Sequence, residues 1–183
     1  EVMEVAYALR VASPPAPYPH LPQALPDADG LVPATGRLRV GLLWSVSDWD
    51  QDRSIPLEAL EPLFAVEGAD FFSLQQGRAA TDPRLAVHGI TPLSPHTASL
   101  PMAAAAMRRM DVVITPDGMA AHLAGTLGVP AWVLLLHEAD WRWMDARADS
   151  PWYPSARLFR QPRPGDWPSV ADAVADALRR RAG

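Results

Sequence analysis

The sequence contains no cysteine and no lysine. Without cysteine there is no disulfide, no thiol nucleophile and no cysteine-ligated zinc. Without lysine there is no P-loop lysine and no Schiff-base chemistry. Any clamp on a phosphate must therefore use arginine, histidine or backbone N–H groups. No apolar run approaches the ~20 residues a helix needs to span a bilayer, so no transmembrane segment is expected. The formal net charge is −5 and the arginines are scattered, which is not the footprint of a nucleic-acid-binding protein. A Gly-x-Ser-x-Gly elbow is missing, against an α/β-hydrolase. No glycine-rich loop follows the first apolar run, so the dinucleotide fingerprint is missing too.

What remains is enough for one domain with a real core, since the chain has 183 residues. Residues 111 to 130 organise it. Val112, Val113 and Ile114 form a β-branched run of the kind buried in a parallel sheet. Pro116 stops that strand, and Asp117 is expected to cap a helix from Gly118 to about Leu127. Gly128 closes the helix, Pro130 follows, and Ala131 to Leu136 is again continuously apolar. His122 lies in the first turns, where free N–H groups and the helix dipole favour an anion.

Before this stretch, Glu1 to Ala12 allows a short helix. Pro14, Pro15, Pro17, Pro19, Pro22, Pro26 and Pro33 then make an extended linker, so residues 1–36 are read as a helix remnant and proline-rich linker and 37–183 as the domain. Strands are expected at Leu38 to Trp44, Ala69 to Leu74 and, more weakly, Ala86 to Ile90, with an edge strand at Arg157 to Arg160. Helices are expected at Pro56 to Ala65, Leu100 to Met110 and Pro168 to Arg181. In the last, Val170, Val174 and Leu178 share the face that packs on the sheet. The methionines of the Leu100 helix fit a core better than a cofactor contact. Strands alternating with helices give an α/β, Rossmann-like, doubly wound parallel sheet of five or six strands. Ligands of such sheets sit beyond the carboxyl ends of the strands. Those ends carry Ser45 to Arg53, Gln75-Gln76, Asp117 to His122 and His137-Glu138. Trp141, Trp143, Trp152 and Tyr153 either stack on a ligand or pin the loop from Glu138 to Pro154 onto the core.

Asp117-Gly-Met-Ala-Ala-His122-Leu-Ala-Gly-Thr-Leu-Gly128 resembles the donor-binding motif of family 9 glycosyltransferases, the heptosyltransferase group. The version in bacterial proteins with tetratricopeptide repeats ahead of a glycosyltransferase domain is the nearer match. Val40-Gly-Leu-Leu-Trp44, Arg53-Ser-Ile-Pro-Leu57, Phe72-Ser-Leu-Gln75, Asp140-Trp-Arg-Trp143, Ser150-Pro-Trp-Tyr-Pro154 and Arg157-Leu-Phe-Arg-Gln161 extend it in collinear order from about residue 38 onward.

The resemblance implies the C-terminal, nucleotide-sugar-binding half of a GT-B type glycosyltransferase that transfers a sugar to a glycan or protein acceptor in the cytoplasm. It implies further that an N-terminal Rossmann-like half, and tetratricopeptide repeats before it, belong to the same protein. The general base and acceptor site would lie in that other half, so no catalytic residue is expected in this chain. The donor-binding residues it implies are Arg53, Gln75, Gln76, Asp117, Gly118, Met119, Ala120 and His122. Neither a metal nor another cofactor is expected. Asp48 and Asp50 form the Asp-x-Asp that holds a metal in other glycosyltransferases, but a solvated acidic loop is the simpler account. Arg53 suits a diphosphate and equally suits pairing with a neighbouring aspartate. Gly118, Met119, Gln76 and Met102 depart from the family pattern. They keep open the alternative of a degenerate, non-catalytic interaction domain; a free-standing nucleotide-binding regulator and a hydrolase or epimerase of similar fold are further alternatives.

Overall fold

A computed structural model describes residues 24–46 and 51–183. The helix expected at Glu1 to Ala12 and the Asp48–Asp50 pair lie outside the described residues. Six parallel strands form one sheet in the order β3-β2-β1-β4-β5-β6. They are β1 (Leu38–Leu42), β2 (Ala69–Ser73), β3 (Thr91–Pro92), β4 (Val112–Pro116), β5 (Ala131–Leu135) and β6 (Ala156–Arg160). The α-helices among the described residues are α1 (Glu61–Phe64), α2 (Arg84–Val87), α3 (Leu100–Arg108), α4 (Met119–Leu127) and α5 (Trp167–Ala182).

The period-2 alternation of the strands divides the core between the two faces of the sheet. Val40, Leu42, Val112 and Ile114 pack with Leu60, Leu63, Val170, Val174 and Leu178 on one face. Phe72, Leu74, Val113, Val133 and Leu135 pack with Ala106, Met107, Ala121 and Leu123 on the other. Both sides of β4 and β5 are covered, which is why these strands read as unbroken apolar runs. Met107 and Met110 are buried in this core, as their spacing predicts. Val32 is fully buried with the second cluster, so the described part of the proline-rich segment lies on the domain.

The helix ends are set by local chemistry. Asp166 caps α5, accepting from Ser169 N–H at 3.2 Å, and Pro168 occupies the first turn. Gly128 ends α4 in the left-handed conformation, with φ of 71°. Two expectations are corrected. Ala86 to Ile90 is not a strand: α2 runs through Val87 with Pro83 at its N-cap, Asp82 accepts from Arg84 N–H at 2.9 Å just before it, and the third strand is the short Thr91–Pro92. Asp117 is not the cap of α4: Gly118 stands there in an extended conformation, and no side-chain oxygen caps the first turn.

Below the sheet's centre, Arg39 holds Asp111 in a forked ion pair, with Nε–Oδ2 at 3.0 Å and Nη2–Oδ1 at 2.8 Å. The pair ties β1 to the start of β4, and the guanidinium's hydrogen bonds keep the Asp111 carboxyl below the usual carboxylate range.

Candidate functional site

The strand order reverses between β1 and β4, and the crevice above such a switch point is where doubly wound sheets take ligands. A cleft of about 320 Å³ opens there, lined by Arg53, Asp117, Leu134, Leu136, Glu138, Ala139 and Asp140. Arg53 ends a short 3-10 turn, Gln51–Arg53. The turn is anchored to β1's exit by Ile55 N–H donating to Trp44 O at 2.7 Å and by Val46 N–H donating to Ser54 Oγ at 3.0 Å. Arg53 Nη1 donates to Asp117 O at 3.2 Å and stands 3.6 Å from Asp117 Oδ2. The guanidinium therefore reaches the loop immediately before the uncapped end of α4.

Of the implied donor-binding residues, Arg53, Asp117 and the first turn of α4 come together at this mouth. Gly118 and Ala120 are partly or fully covered, while Met119 is 65% exposed. Gln75 and Gln76 are otherwise engaged. Gln75 is buried, and its Oε1 accepts from Trp44 N–H at 3.1 Å and Ser45 N–H at 2.9 Å. Its Nε2 donates to Ser45 O at 3.1 Å and Gln76 O at 3.2 Å. That amide stitches the exits of β1 and β2 together and does not line the cleft. Gln76 Nε2 donates to Thr97 Oγ1 at 2.9 Å.

His122 packs among aromatic rings. Its imidazole stacks on Trp143 with centroids 5.4 Å apart and planes 18° apart. Its Nδ1 lies 3.0 Å from the Tyr153 hydroxyl. Trp143 is 1% exposed, so the tryptophan-rich loop is pinned to the core through it. The loop also supplies Glu138 and Asp140 to the cleft, and Asp140 grips Arg142 at 2.8 and 2.9 Å. Tyr153, Glu138 and Asp140 are absent from the implied set. Glu138's place at a strand exit is visible in the sequence; the approach of Tyr153 to His122 is a tertiary fact without a local signal.

Burial pushes the His122 pKa below its ordinary value; Asp117 pulls the other way, and the Arg142 charge adds to the lowering. Above pH about 6.5 the ring is neutral in folded and unfolded chains alike. Below it the unfolded chain takes the proton first, so stability falls as pH drops from about 6.5 toward the lower folded value. His122→Gln should remove that component. Melting curves of parent and variant are expected to converge as the pH is lowered from about 7 to 5; a constant separation would contradict the assignment.

Among the described residues, no grouping of three histidine, aspartate or glutamate side chains is arranged to hold a metal. No described helix is long and apolar enough to cross a membrane.

A cleft beyond the strand ends of a six-stranded parallel sheet defines the domain as a Rossmann-like α/β fold. Known structures narrow the fold. The family 9 glycosyl transferase from Veillonella parvula superposes with a TM-score of 0.56 at 15% identity, over 84% of this chain and 49% of that one. The ADP-heptose LPS heptosyltransferase II of E. coli gives a TM-score of 0.57 at 14% identity, over 84% of this chain and 50% of that one. The fold is thus that of a GT-B glycosyltransferase domain of the family 9, heptosyltransferase-like kind, and this chain spans about half of each of those structures. Protein FlbA of Caulobacter vibrioides is 30% identical over 150 residues, which is 77% of this chain and 25% of that protein. The chain therefore spans a quarter of the length of that curated relative. No family model matches the sequence.

Proposed function

We propose that this domain is the nucleotide-sugar-binding half of a cytoplasmic, metal-independent GT-B glycosyltransferase, whose other half supplies the general base and the acceptor site. The observation that carries the proposal is Arg53 Nη1 held 3.2 Å from the Asp117 carbonyl, at the uncapped end of α4 and above the sheet's switch point. A guanidinium and free helix N–H groups together form a site for a diphosphate, with no metal required. Met119 and Ala120 would contribute through their backbone, so the departures at Gly118 and Met119 remove no essential donor. Gln75 braces the β1 exit that leads to Arg53, and His122 would add a side-chain donor from the second turn.

A second account has its own observation. The lining side chains include one cation, Arg53, against three carboxylates, Asp117, Glu138 and Asp140. That balance opposes a dianion and favours a degenerate domain that serves in protein interaction. Calorimetric titration of the full-length protein with ADP, GDP, UDP and CMP separates the two. Binding is expected for at least one nucleotide, and Arg53→Ala should weaken it about ten- to hundredfold through loss of a charge-assisted contact. No binding by a folded parent protein would leave the interaction domain as the surviving account.

A further inference from the structure

We propose that Tyr153 is a positioning residue for the candidate donor site: its hydroxyl donates to Nδ1 of His122 and holds the imidazole as the Nε2–H tautomer. The inference rests on the donor-site proposal only for the use made of that Nε2–H. The geometry stands by itself. Tyr153 O–H and His122 Nδ1 are 3.0 Å apart, across 31 residues of sequence. With Nδ1 engaged, only Nε2 of the ring remains for a ligand.

The tyrosine is held from several sides. Its N–H and that of Trp152 donate to Ser150 Oγ at 3.3 and 3.2 Å, and Ser150 is buried. Its carbonyl accepts from Ala156 N–H at 2.8 Å, at the start of β6. Its ring lies directly on Gly125, where a Cβ would come within 2.4 Å of Tyr153 Cγ. Gly125 follows His122 by three residues and so shares its face of α4. The glycine makes room for the tyrosine, the tyrosine reaches one edge of the imidazole, and Trp143 covers its face. A hydrogen bond and a stack thus fix the orientation of one ring.

A tautomer has meaning only for a neutral ring. The buried setting favours the neutral form, and Asp117, Asp140, Arg142 and Arg53 supply the charges that the imidazole feels. A neutral ring accepting at Nδ1 must carry its proton on Nε2. That converts His122 from an ambiguous group into a committed donor, which is what a phosphate or sugar oxygen requires.

The test uses the full-length protein and Tyr153→Phe, which keeps the ring on Gly125 and removes only the hydroxyl. Long-range ¹H–¹⁵N spectra of the histidine rings are recorded without ligand, and ADP, GDP and UDP are the binding probes. The parent protein should show His122 as Nε2–H; the variant should show a tautomer mixture and bind the best probe about three- to tenfold more weakly. Nδ1–H in the parent, or an unchanged tautomer in the variant, overturns the proposal. A changed tautomer with unchanged affinity for a probe that binds overturns the role in the site. If the parent binds no probe while the variant's tautomer changes, the donor-site proposal falls and the positioning of His122 by Tyr153 stands.

Discussion

Gly125→Ala should destabilise the protein by about 2 kcal/mol, lowering its melting temperature by roughly 4–8 °C. The sign is what makes the expectation sharp. Alanine in place of glycine inside an exposed helix normally gains up to about 1 kcal/mol. Here the new methyl meets Tyr153 Cγ at 2.4 Å, Cδ1 at 2.5 Å and Cβ at 2.9 Å. A χ1 change would carry Cγ and Cδ1 away, but Cβ is fixed by the backbone and its 2.9 Å contact survives any rotamer. Either α4 moves off the sheet or the loop bearing Tyr153 lifts. Both disturb the stack of His122 on Trp143, so near-ultraviolet circular dichroism should change with the melting point. A variant as stable as the parent, or more so, would refute the close approach of helix and loop.

Gln75→Leu should be costlier, at about 3 kcal/mol or on the order of 10 °C. Leucine nearly matches the volume, so packing is not the main issue. What is lost is an amide that satisfies two backbone N–H groups, of Trp44 and Ser45, and two carbonyls, of Ser45 and Gln76. Trp44 and Gln75 are buried, so at least the first of those N–H groups would have no water to turn to. The glutamine stands where both neighbouring strands end and their ladder cannot continue; its side chain takes over what the ladder would have supplied. Denaturant unfolding of parent and variant checks this, and a loss below about 1 kcal/mol would mean that the exits rearrange without it.

The expected outcomes differ in how far the sequence discloses their basis. β4, α4 and β5 are legible because burial on both faces of a parallel sheet imposes an unbroken apolar run, and Gly128 marks the helix end by its backbone alone. β3 is not legible: two residues, one of them proline, leave no periodicity to detect. Ala86, Val87 and Ile90 suggest a strand, whereas Pro83 and the hydrogen bond from Arg84 N–H to Asp82 mark a helical turn there instead. At the cleft, strand exits and the start of α4 are visible as positions in a pattern. The roles of Gln75 and Tyr153 are not, because a glutamine facing a ligand and a glutamine facing two backbones have the same sequence. The pairing of Arg53 with the Asp117 segment spans 64 residues and is equally silent, although an arginine beside aspartates already raised both outcomes.

The two outer strands bear on how the molecule behaves in a crowd. A sheet edge is ordinarily a template, with a row of unfilled donors and acceptors that a neighbour's strand can extend. At one margin β3 offers only Thr91 and Pro92, and the proline has no N–H to give. At the other, the chain folds back over β6: Asp149 bridges Arg157 in antiparallel fashion, and Leu158 N–H donates to Ala148 O at 2.8 Å. One margin is too short to nucleate a seventh strand and the other is already roofed by its own loop. The loop that steadies His122 on its inner side thus also guards the sheet against edge-to-edge aggregation on its outer side.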